Sequence, residues 1–306
     1  MSEVTKTLHR KVYPAIDAAS PEQSQAGRKI LITGGSAVIG RAAAEAFVTA
    51  GADTVVITSR SAEKAKSVAK EIETAGNGST KVVGYQYEIK DIDSVKALWD
   101  QLELDGIQID VLVLNTTDLT PSSPEPDQTL FGLFKFFESG VRNQSVNVDR
   151  FQRQGAKEGK ALIYVSTNAT HFHGLPLHYT AASSPRLAFN RMLSDLAANT
   201  PVEQVQILSI HPGFVLTPEN MKHGYKADSL GVPFDEASLP GNFFVWAATK
   251  KAAFLHGRFV WANWDVEELI SMKDKFEADP GFLRAGLQGV KSQDFGMLIS
   301  GMARSV

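Results

Sequence analysis

Hydroxyl and imidazole side chains cluster between residues 164 and 180, and these groups can move protons at neutral pH. Ser166 and Thr167 follow an apolar run and precede Tyr179 by thirteen and twelve residues, with three histidines in between. A serine or threonine hydroxyl can hold a carbonyl oxygen while a tyrosine or histidine transfers a proton. The candidate catalytic residues are therefore Tyr179, Ser166, Thr167, His178, His173 and His171.

The residue four places after Tyr179 determines how this tyrosine can act. A free tyrosine has a pKa of about 10 and stays protonated at neutral pH unless a cation lies nearby. Position 183 holds a serine, so the cation would have to come from Arg186, seven residues after Tyr179. Ser184 and Pro185 predict a helix that starts at Ser184 and leaves Tyr179 in the preceding loop, because proline suits the first helical turn and serine suits the cap.

The three histidines allow two interpretations. Histidine is the side chain best matched to proton transfer near neutral pH, so a histidine–tyrosine acid/base site is one of them. The other is a set of surface histidines in a variable loop. His171 and His173 lack a carboxylate at a spacing suited to metal binding, and we therefore predict no metal site.

A glycine-rich loop at residues 33–40 is the second feature with chemical meaning. Its sequence, Thr-Gly-Gly-Ser-Ala-Val-Ile-Gly, lies between an apolar run and a helical pattern, as in loops that bind dinucleotide phosphates. Val38 is β-branched where glycine would let the backbone approach a pyrophosphate, so a turn without a ligand is the alternative. Arg60 follows the next apolar run, and its guanidinium suits a 2′-phosphate, which favours NADP(H) over NAD(H) as any dinucleotide bound.

The apolar runs predict the scaffold that positions these residues. Seven short runs alternate with amphipathic segments, which is typical of a parallel sheet buried on both faces. We predict an α/β fold: a Rossmann-type, doubly wound parallel sheet of about seven strands, flanked by helices in a single domain. The predicted strands are Lys29–Thr33, Thr54–Thr58, Lys81–Tyr87, Ile109–Leu114, Ala161–Ser166, Gln204–Ile210 and Arg258–Val260, and the predicted helices are Ala42–Ala50, Ala62–Thr74, Ile92–Leu104, Gln128–Gln154 and Leu187–Ala198.

Residues 1–27 are polar and show no sustained period, which predicts an N-terminal arm on the domain surface or a mobile tail. Residues 28–306 would then form the domain. Within it, residues 219–240 are expected to form a lid over the substrate pocket.

Composition narrows the class of partner. The chain of 306 residues has a net charge of −3, which argues against a nucleic-acid partner. It contains no cysteine, which excludes disulfides and thiolate chemistry, and no apolar stretch of about 20 residues that could span a bilayer. We expect a cytoplasmic protein that binds a small-molecule substrate and has no membrane partner.

Several segments resemble the short-chain dehydrogenase/reductase superfamily, and a fungal branch of it in particular. The resemblance covers roughly residues 8–290. The similar segments, each with the family's pattern in parentheses, are 33–40 (Thr-Gly-x-x-x-Gly-x-Gly), 179–183 (Tyr-x-x-x-Lys) and 212–217 (Pro-Gly-x-Val-x-Thr). The runs Tyr13–Asp17 and Gly257–Asp265 resemble segments of the fungal branch.

The resemblance implies roles and also marks departures. It makes Ser166 or Thr167 the hydroxyl that holds a substrate carbonyl, while Gly140 replaces an asparagine that orders a relay water and Ser183 replaces the lysine that tunes the tyrosine. Thr117 replaces a glycine that faces the cofactor ribose. The implied cofactor contacts are Gly34, Gly35, Ser36, Ile39, Gly40, Arg60, Asn115, Pro212, Gly213 and Thr217.

Three functions are consistent with this pattern. The joint departures favour an enzyme of small-molecule, secondary metabolism that has left redox chemistry and performs a proton-transfer reaction such as cyclisation, isomerisation or elimination, without a cofactor. The alternatives are an NADP(H)-dependent carbonyl reductase or dehydrogenase with a non-standard catalytic group, and a catalytically silent binding or scaffold subunit. The helices predicted at Gln128–Gln154 and Leu187–Ala198 correspond to those that pair family members, so a homodimer or homotetramer is expected.

Overall fold

The computed structural model describes residues 4–76, 78–118, 129–155, 158–172, 174, 177–222, 224–227, 231 and 233–286. Within these ranges, only the backbone is described for residues 177–179 and 219. Its centre is a parallel sheet of seven strands in the order β3-β2-β1-β4-β5-β6-β7, and the seven predicted strands are confirmed. The order reverses between β1 and β4, which opens a crevice for ligands at the carboxyl ends of the strands. The strands are β1 Lys29–Ile32, β2 Thr54–Ser59, β3 Lys81–Gln86, β4 Val111–Leu114, β5 Lys160–Val165, β6 Val205–His211 and β7 Arg258–Trp261.

Helices cover both faces of this sheet, as the alternating pattern predicts. One buried cluster joins one face of the sheet to α1 and α8, and another joins the opposite face to α3, α5 and α6. The helices are α1 Val38–Thr49, α2 Ala62–Ala75, α3 Ile92–Leu104, α4 Leu130–Leu133, α5 Asn143–Arg153, α6 Leu177–Ala198, α7 Pro218–Lys222, α8 Ser238–Ala247, α9 Val266–Ser271 and α10 Lys273–Ala278. Among the described residues, no helix is long and apolar enough to cross a bilayer.

Two helix predictions are wrong in detail. The predicted helix Gln128–Gln154 is divided, because a π-helical turn at Glu138–Arg142 separates α4 from α5. The helix expected to start at Ser184 begins at Leu177, so the backbone of Tyr179 lies in a helix and not in a loop. Local capping signals favoured the later start, and tertiary packing overrides them.

Pro185 lies inside α6 and packs beside the π-helical turn. Proline has no N–H, so the carbonyl of Ala181 loses its helical partner, and an internal proline costs a helix about 3 kcal/mol. Gly140 faces this proline: a Cβ added at Gly140 would lie 2.8 Å from the Cβ of Pro185. A side chain at residue 140 would therefore compete with the Pro185 ring for the same space.

The N-terminal arm packs into the fold. Leu8 forms an antiparallel bridge with Trp264, directly after β7. Ile16 is fully buried in the cluster that contains α1 and α8. Arg10 donates a hydrogen bond to the buried carboxylate of Asp235 over 3.2 Å.

Candidate functional site

The glycine-rich loop between β1 and α1 is a tight turn in which packing requires the glycines. Gly34 has a φ of +67°, in the left-handed region that favours glycine. A side chain at Gly35 would meet Ile57 at 2.7 Å, and one at Gly40 would meet Asn115 Nδ2 at 2.8 Å. The conformation is therefore that of a phosphate loop, although the fold itself needs these three glycines.

The N-terminus of α1 is open to an anion. Ala37 occupies the cap position, and among the described residues no side chain hydrogen-bonds to the first-turn N–H groups from that position. Ser36, Val38 and Ile39 are half-buried around it. Uncapped N–H groups and the positive end of the helix dipole favour phosphate. The backbone N–H groups of this turn therefore suit the phosphates of a dinucleotide, while the β-branched Val38 side chain narrows the approach to them. Arg60 is exposed directly after the neighbouring strand β2.

The carboxyl end of β4 is tied to this loop. The backbone N–H of Asn115 donates to Thr33 Oγ1 over 2.9 Å, and its side-chain amide donates to the Thr33 carbonyl over 3.0 Å. Thr116 and Thr117 follow, and each hydroxyl is buried without a hydrogen-bond partner within the described ranges. Asn115 therefore has a structural role, whereas the two threonines leave unused hydrogen-bonding groups in the cleft.

Ser166 and His211 bring two further unused polar groups together. The strands β5 and β6 pair in parallel register, with Val165 beside Ile210, and the Ser166 N–H donates to the Ile210 carbonyl over 2.8 Å. Ser166 and His211 therefore occupy neighbouring positions on the same face, about 5 Å apart in backbone spacing. Both residues are buried, and neither Ser166 Oγ nor either ring nitrogen of His211 has a hydrogen-bond partner in the part of the chain that is described.

Burial keeps the His211 imidazole neutral. Loss of solvent lowers its pKa to about 3, and the nearby His171 lowers it further. The ring packs edge-on against Phe214 at 5.3 Å and against Trp261 at 5.0 Å. His211 directly precedes the turn motif at residues 212–217, and the sequence pattern does not identify it as a functional residue. Its register with Ser166 across two predicted strands is the signal that would have found it.

His171 lies at the rim of the same site. It ends a short 3₁₀ helix at Asn168–His171, and its ring packs edge-on against Phe259 with the centroids 4.3 Å apart. The residue remains exposed, yet this contact partly removes the ring from water and lowers its pKa, so the imidazole is neutral at pH 7. A neutral, accessible imidazole can accept a proton. Within the described part of the chain, no group of three or more histidine or acidic side chains is arranged to hold a metal ion.

The structure separates the two candidate hydroxyls. Thr167 caps the 3₁₀ helix, where its Oγ1 accepts a hydrogen bond from the Ala169 N–H over 3.3 Å. Its carbonyl accepts another from Thr170 Oγ1 over 2.8 Å. Ser166, by contrast, has its hydroxyl uncommitted among the described residues. Ser166 is thus the hydroxyl available to a ligand.

The remaining candidates of this segment are only partly described. The backbones of Tyr179 and His178 lie in the first turn of α6, and their side chains lie outside the described structure. His173 also lies outside the described residues. Their catalytic roles stay predictions.

Arg186 does not occupy the position, four residues after Tyr179, at which the family pattern has a lysine. It is buried two helical turns after Tyr179, and its guanidinium donates to the Ala182 carbonyl in the preceding turn. Its positive charge acts on Tyr164 of β5, whose pKa burial raises to about 12 and Arg186 lowers in part. Ser183 is half-buried on the same helix and brings no charge.

The turn after β6 is held by a buried carboxylate. Gly213 has a φ of +91°, and a side chain there would meet Asp235 Oδ2 at 2.6 Å. The same Asp235 oxygen accepts the next backbone N–H over 2.7 Å. Thr217 caps α7, because its Oγ1 accepts a hydrogen bond from the Asn220 backbone N–H over 3.2 Å. Pro212, Gly213 and Thr217 thus shape the turn, and their contacts with a cofactor stay predictions.

Comparison with known proteins identifies the family to which this fold belongs. The family model for short chain dehydrogenase matches residues 28–228. The chain is 30% identical over 284 residues to the short chain dehydrogenase/reductase AacuD of Aspergillus aculeatus, which covers 92% of this chain and 96% of the relative. A short chain dehydrogenase/reductase of Claviceps purpurea is 31% identical over 92% of this chain and 94% of its own length.

Solved structures have the same architecture. A short chain dehydrogenase/reductase family protein aligns with a TM-score of 0.66 at 25% identity and covers 78% of this chain and 98% of its own. The RhlG/NADP active-site complex of Pseudomonas aeruginosa aligns with a TM-score of 0.69 at 20% identity over 79% of this chain and 97% of its own, which shows a likeness of fold alone. With a family match over 201 of its 306 residues and these fungal relatives, the chain belongs to the short chain dehydrogenase family.

Proposed function

We propose that this protein catalyses a proton-transfer reaction, such as an isomerisation, cyclisation or elimination, on a small carbonyl compound. The observation that carries the proposal is the pair of buried, uncommitted groups at Ser166 and His211 among the described residues. A hydroxyl and a neutral imidazole N–H can both donate to one oxygen atom. Such a pair would stabilise the negative charge that forms on a carbonyl oxygen when the adjacent carbon loses a proton.

The neutrality of His211 suits this role. A neutral imidazole donates one N–H without bringing a charge that would have to be buried, and the pKa of about 3 keeps it neutral throughout the physiological range. Buried groups without partners cost about 1–3 kcal/mol each. An oxygen atom that accepts from Ser166 and His211 would recover part of this cost, and most of it when the oxygen is charged.

His171 is the proposed base. It lies close enough to His211 to lower its pKa, and it is exposed where a substrate would enter. Because its own pKa is lowered, it is unprotonated at pH 7 and can take the proton from the substrate carbon. Tyr179, in the first turn of α6, is proposed to return a proton to the substrate.

The experiment is hydrogen exchange at carbon, measured without nucleotide. The protein is incubated in D₂O with a panel of small cyclic and aromatic ketones, and mass spectrometry follows deuterium at the carbon next to the carbonyl. We expect Ser166→Ala to lower the exchange rate by about 10²–10³-fold, as for loss of one donor to an oxyanion. Ser209→Ala is the control, because it removes a buried hydroxyl from the same face of β6, two residues before His211, without removing either member of the pair. Exchange or turnover that depends on NADPH would contradict the proposal.

The second candidate is an NADP(H)-dependent carbonyl reductase, which the open N-terminus of α1 favours. The residues proposed to hold the dinucleotide phosphates are those of the loop 34–40, with Arg60 beside a 2′-phosphate. When bound, NADPH supplies a hydride. Ser166 would then hold the substrate carbonyl and Tyr179 would give it a proton.

A test of NADPH binding distinguishes this second candidate function from the first. At 100 times the dissociation constant, a ligand that binds only the native state stabilises it by about 2.7 kcal/mol. NADPH should then raise the melting temperature, and NADH at the same concentration should raise it less. No rise with either nucleotide would remove the reductase and leave the proton-transfer function.

We also propose that the protein forms a homo-oligomer. Phe131 and Phe134 on and beside α4 are 88% and 66% exposed, and such apolar surface is typical of an interface. Sedimentation velocity tests this, and a monomer at micromolar concentration would contradict it.

A further inference from the structure

A pocket whose lining includes neither Ser166 nor His211 opens between α6, the π-helical turn and the end of β4. It lies where the asparagine and lysine of the family pattern are absent, and Gly140 and Pro185 form part of its wall. About 300 Å³ of space lies in and in front of the pocket, and part of this volume is open solvent. The pocket is also lined by Thr116, Thr117, Asp118, Tyr164 and Arg186.

We propose that this pocket binds the carboxylate group of a small organic acid. Arg186 supplies the charge: its side chain is buried, and a guanidinium remains protonated at neutral pH even when burial disfavours the cation. It offers five N–H donors, of which one group is directed at the Ala182 carbonyl. The planar arrangement of the remaining donors matches a carboxylate.

The hydroxyl groups around Arg186 point to the same ligand chemistry. Thr116 Oγ1 and Thr117 Oγ1 are buried without partners within the described residues. The nearby amide of Gln144 is committed, since its Nε2 donates to the Thr116 carbonyl over 3.0 Å. A guanidinium can only donate and each hydroxyl can also donate, so an acceptor is the ligand that can bond to all three groups.

The acidic residue of the pocket does not neutralise this set. Asp118 attracts Arg186 electrostatically, but its carboxylate forms a salt bridge with Lys90 over 2.9 Å. The negative charge of Asp118 is therefore shared between Lys90 and Arg186, and the buried guanidinium can attract a second anion.

The enclosed part of the pocket is small. It has room for about one water molecule, so a small polar group such as a carboxylate suits it. A phosphate group, with four oxygens around phosphorus, is bulkier. The remainder of the acid would extend through the mouth of the pocket. This inference does not depend on which reaction the protein catalyses.

The experiment uses trifluoroacetate as the carboxylate probe and ¹⁹F NMR as the readout, at constant ionic strength. We expect saturable broadening of the probe signal that acetate reverses and that chloride or phosphate at equal concentration does not. Arg186→Gln should weaken binding at least tenfold. Arg191→Gln is the matched control, because Arg191 lies on the same helix, is exposed and pairs with Asp195 over 3.0 Å. Equal binding by Arg186→Gln and the parent, or equal competition by chloride, would overturn the inference.

Thr117→Val provides a second test that does not remove a charge. It replaces a buried hydroxyl that has no partner in the described structure with a methyl group of similar shape. We expect the melting temperature of the ligand-free protein to rise while trifluoroacetate binds several-fold more weakly. A Thr117→Val protein that binds the probe as the parent does would also overturn the inference.

Discussion

Restoring an asparagine at position 140 tests how this site is built. A side chain at Gly140 would place its Cβ 2.8 Å from the Cβ of Pro185, between the π-helical turn and α6. Carbon atoms in contact prefer about 3.5–4.0 Å, so Gly140→Asn must force the two segments apart. Overpacking of this kind costs about 1–3 kcal/mol, and we expect a loss of about 2 kcal/mol in the free energy of unfolding.

Urea unfolding followed by the fluorescence of the four tryptophans measures this loss. The midpoint should fall while the dependence on urea stays constant, because the substitution changes stability and not the surface exposed on unfolding. Gly286→Asn is the matched control, since nothing lies within 4 Å of a side chain placed there. Gly286→Asn should change the free energy of unfolding by no more than about 0.5 kcal/mol.

Pro185→Gly removes the Cβ atom that causes the overlap, so Gly140→Asn should cost less in that background. A coupling energy of about 1 kcal/mol or more between the two substitutions is the expected result. If Gly140→Asn leaves the free energy of unfolding unchanged, or costs the same with proline and with glycine at position 185, the two residues do not share a space and the reasoning fails.

Three further predictions concern charge and cofactor. His211 has a pKa of about 3 in the fold against 6.5 when unfolded, so between these values the unfolded chain binds the extra proton and stability falls as the pH is lowered. His211→Phe should flatten this fall by up to about 1.4 kcal/mol per pH unit, and urea midpoints with the parent's pH slope would contradict the burial of a neutral ring. Ser183→Lys alone should not produce NADPH oxidation, because Val38 and Thr117 still stand where glycines are needed, and robust oxidation by this variant would show that they do not obstruct the cofactor. Arg60→Glu should weaken NADPH binding about tenfold and leave NADH binding unchanged in tryptophan quenching, and equal affinity of parent and variant for NADPH would rule out the 2′-phosphate contact.

The fold was predictable because a parallel sheet covered on both faces needs short, continuous apolar runs. Such runs stand out in the chain, and α3 begins and ends at the predicted residues Ile92 and Leu104. The start of α6 was not predictable from local signals. Ser184 and Pro185 carry the pattern of a helix start, whereas the folded chain accommodates the proline inside α6 in the space beside Gly140.

The site was predictable in part for the same reason. Ser166 was identified from its position after an apolar strand, and the structure leaves its hydroxyl uncommitted among the described residues. The burial of His211 depends on strand register, and the direction of Arg186 depends on how the helix before it is formed. Both are properties of packing that no single segment of the sequence contains.

The N-terminal arm has a consequence for where this protein can be divided. The family match begins at residue 28, yet Ile16 fills the core and Arg10 holds the carboxylate that fixes the turn at Gly213. A protein that began at residue 28 would carry the motifs of the family match. It would, however, have a cavity beside α8 in place of Ile16, and the turn after β6 would lose the contact between Arg10 and Asp235. The limits of a recognisable sequence family and the limits of a cooperative folding unit are therefore different here. Any shortened form should be cut before Leu8 and not at the edge of the similarity.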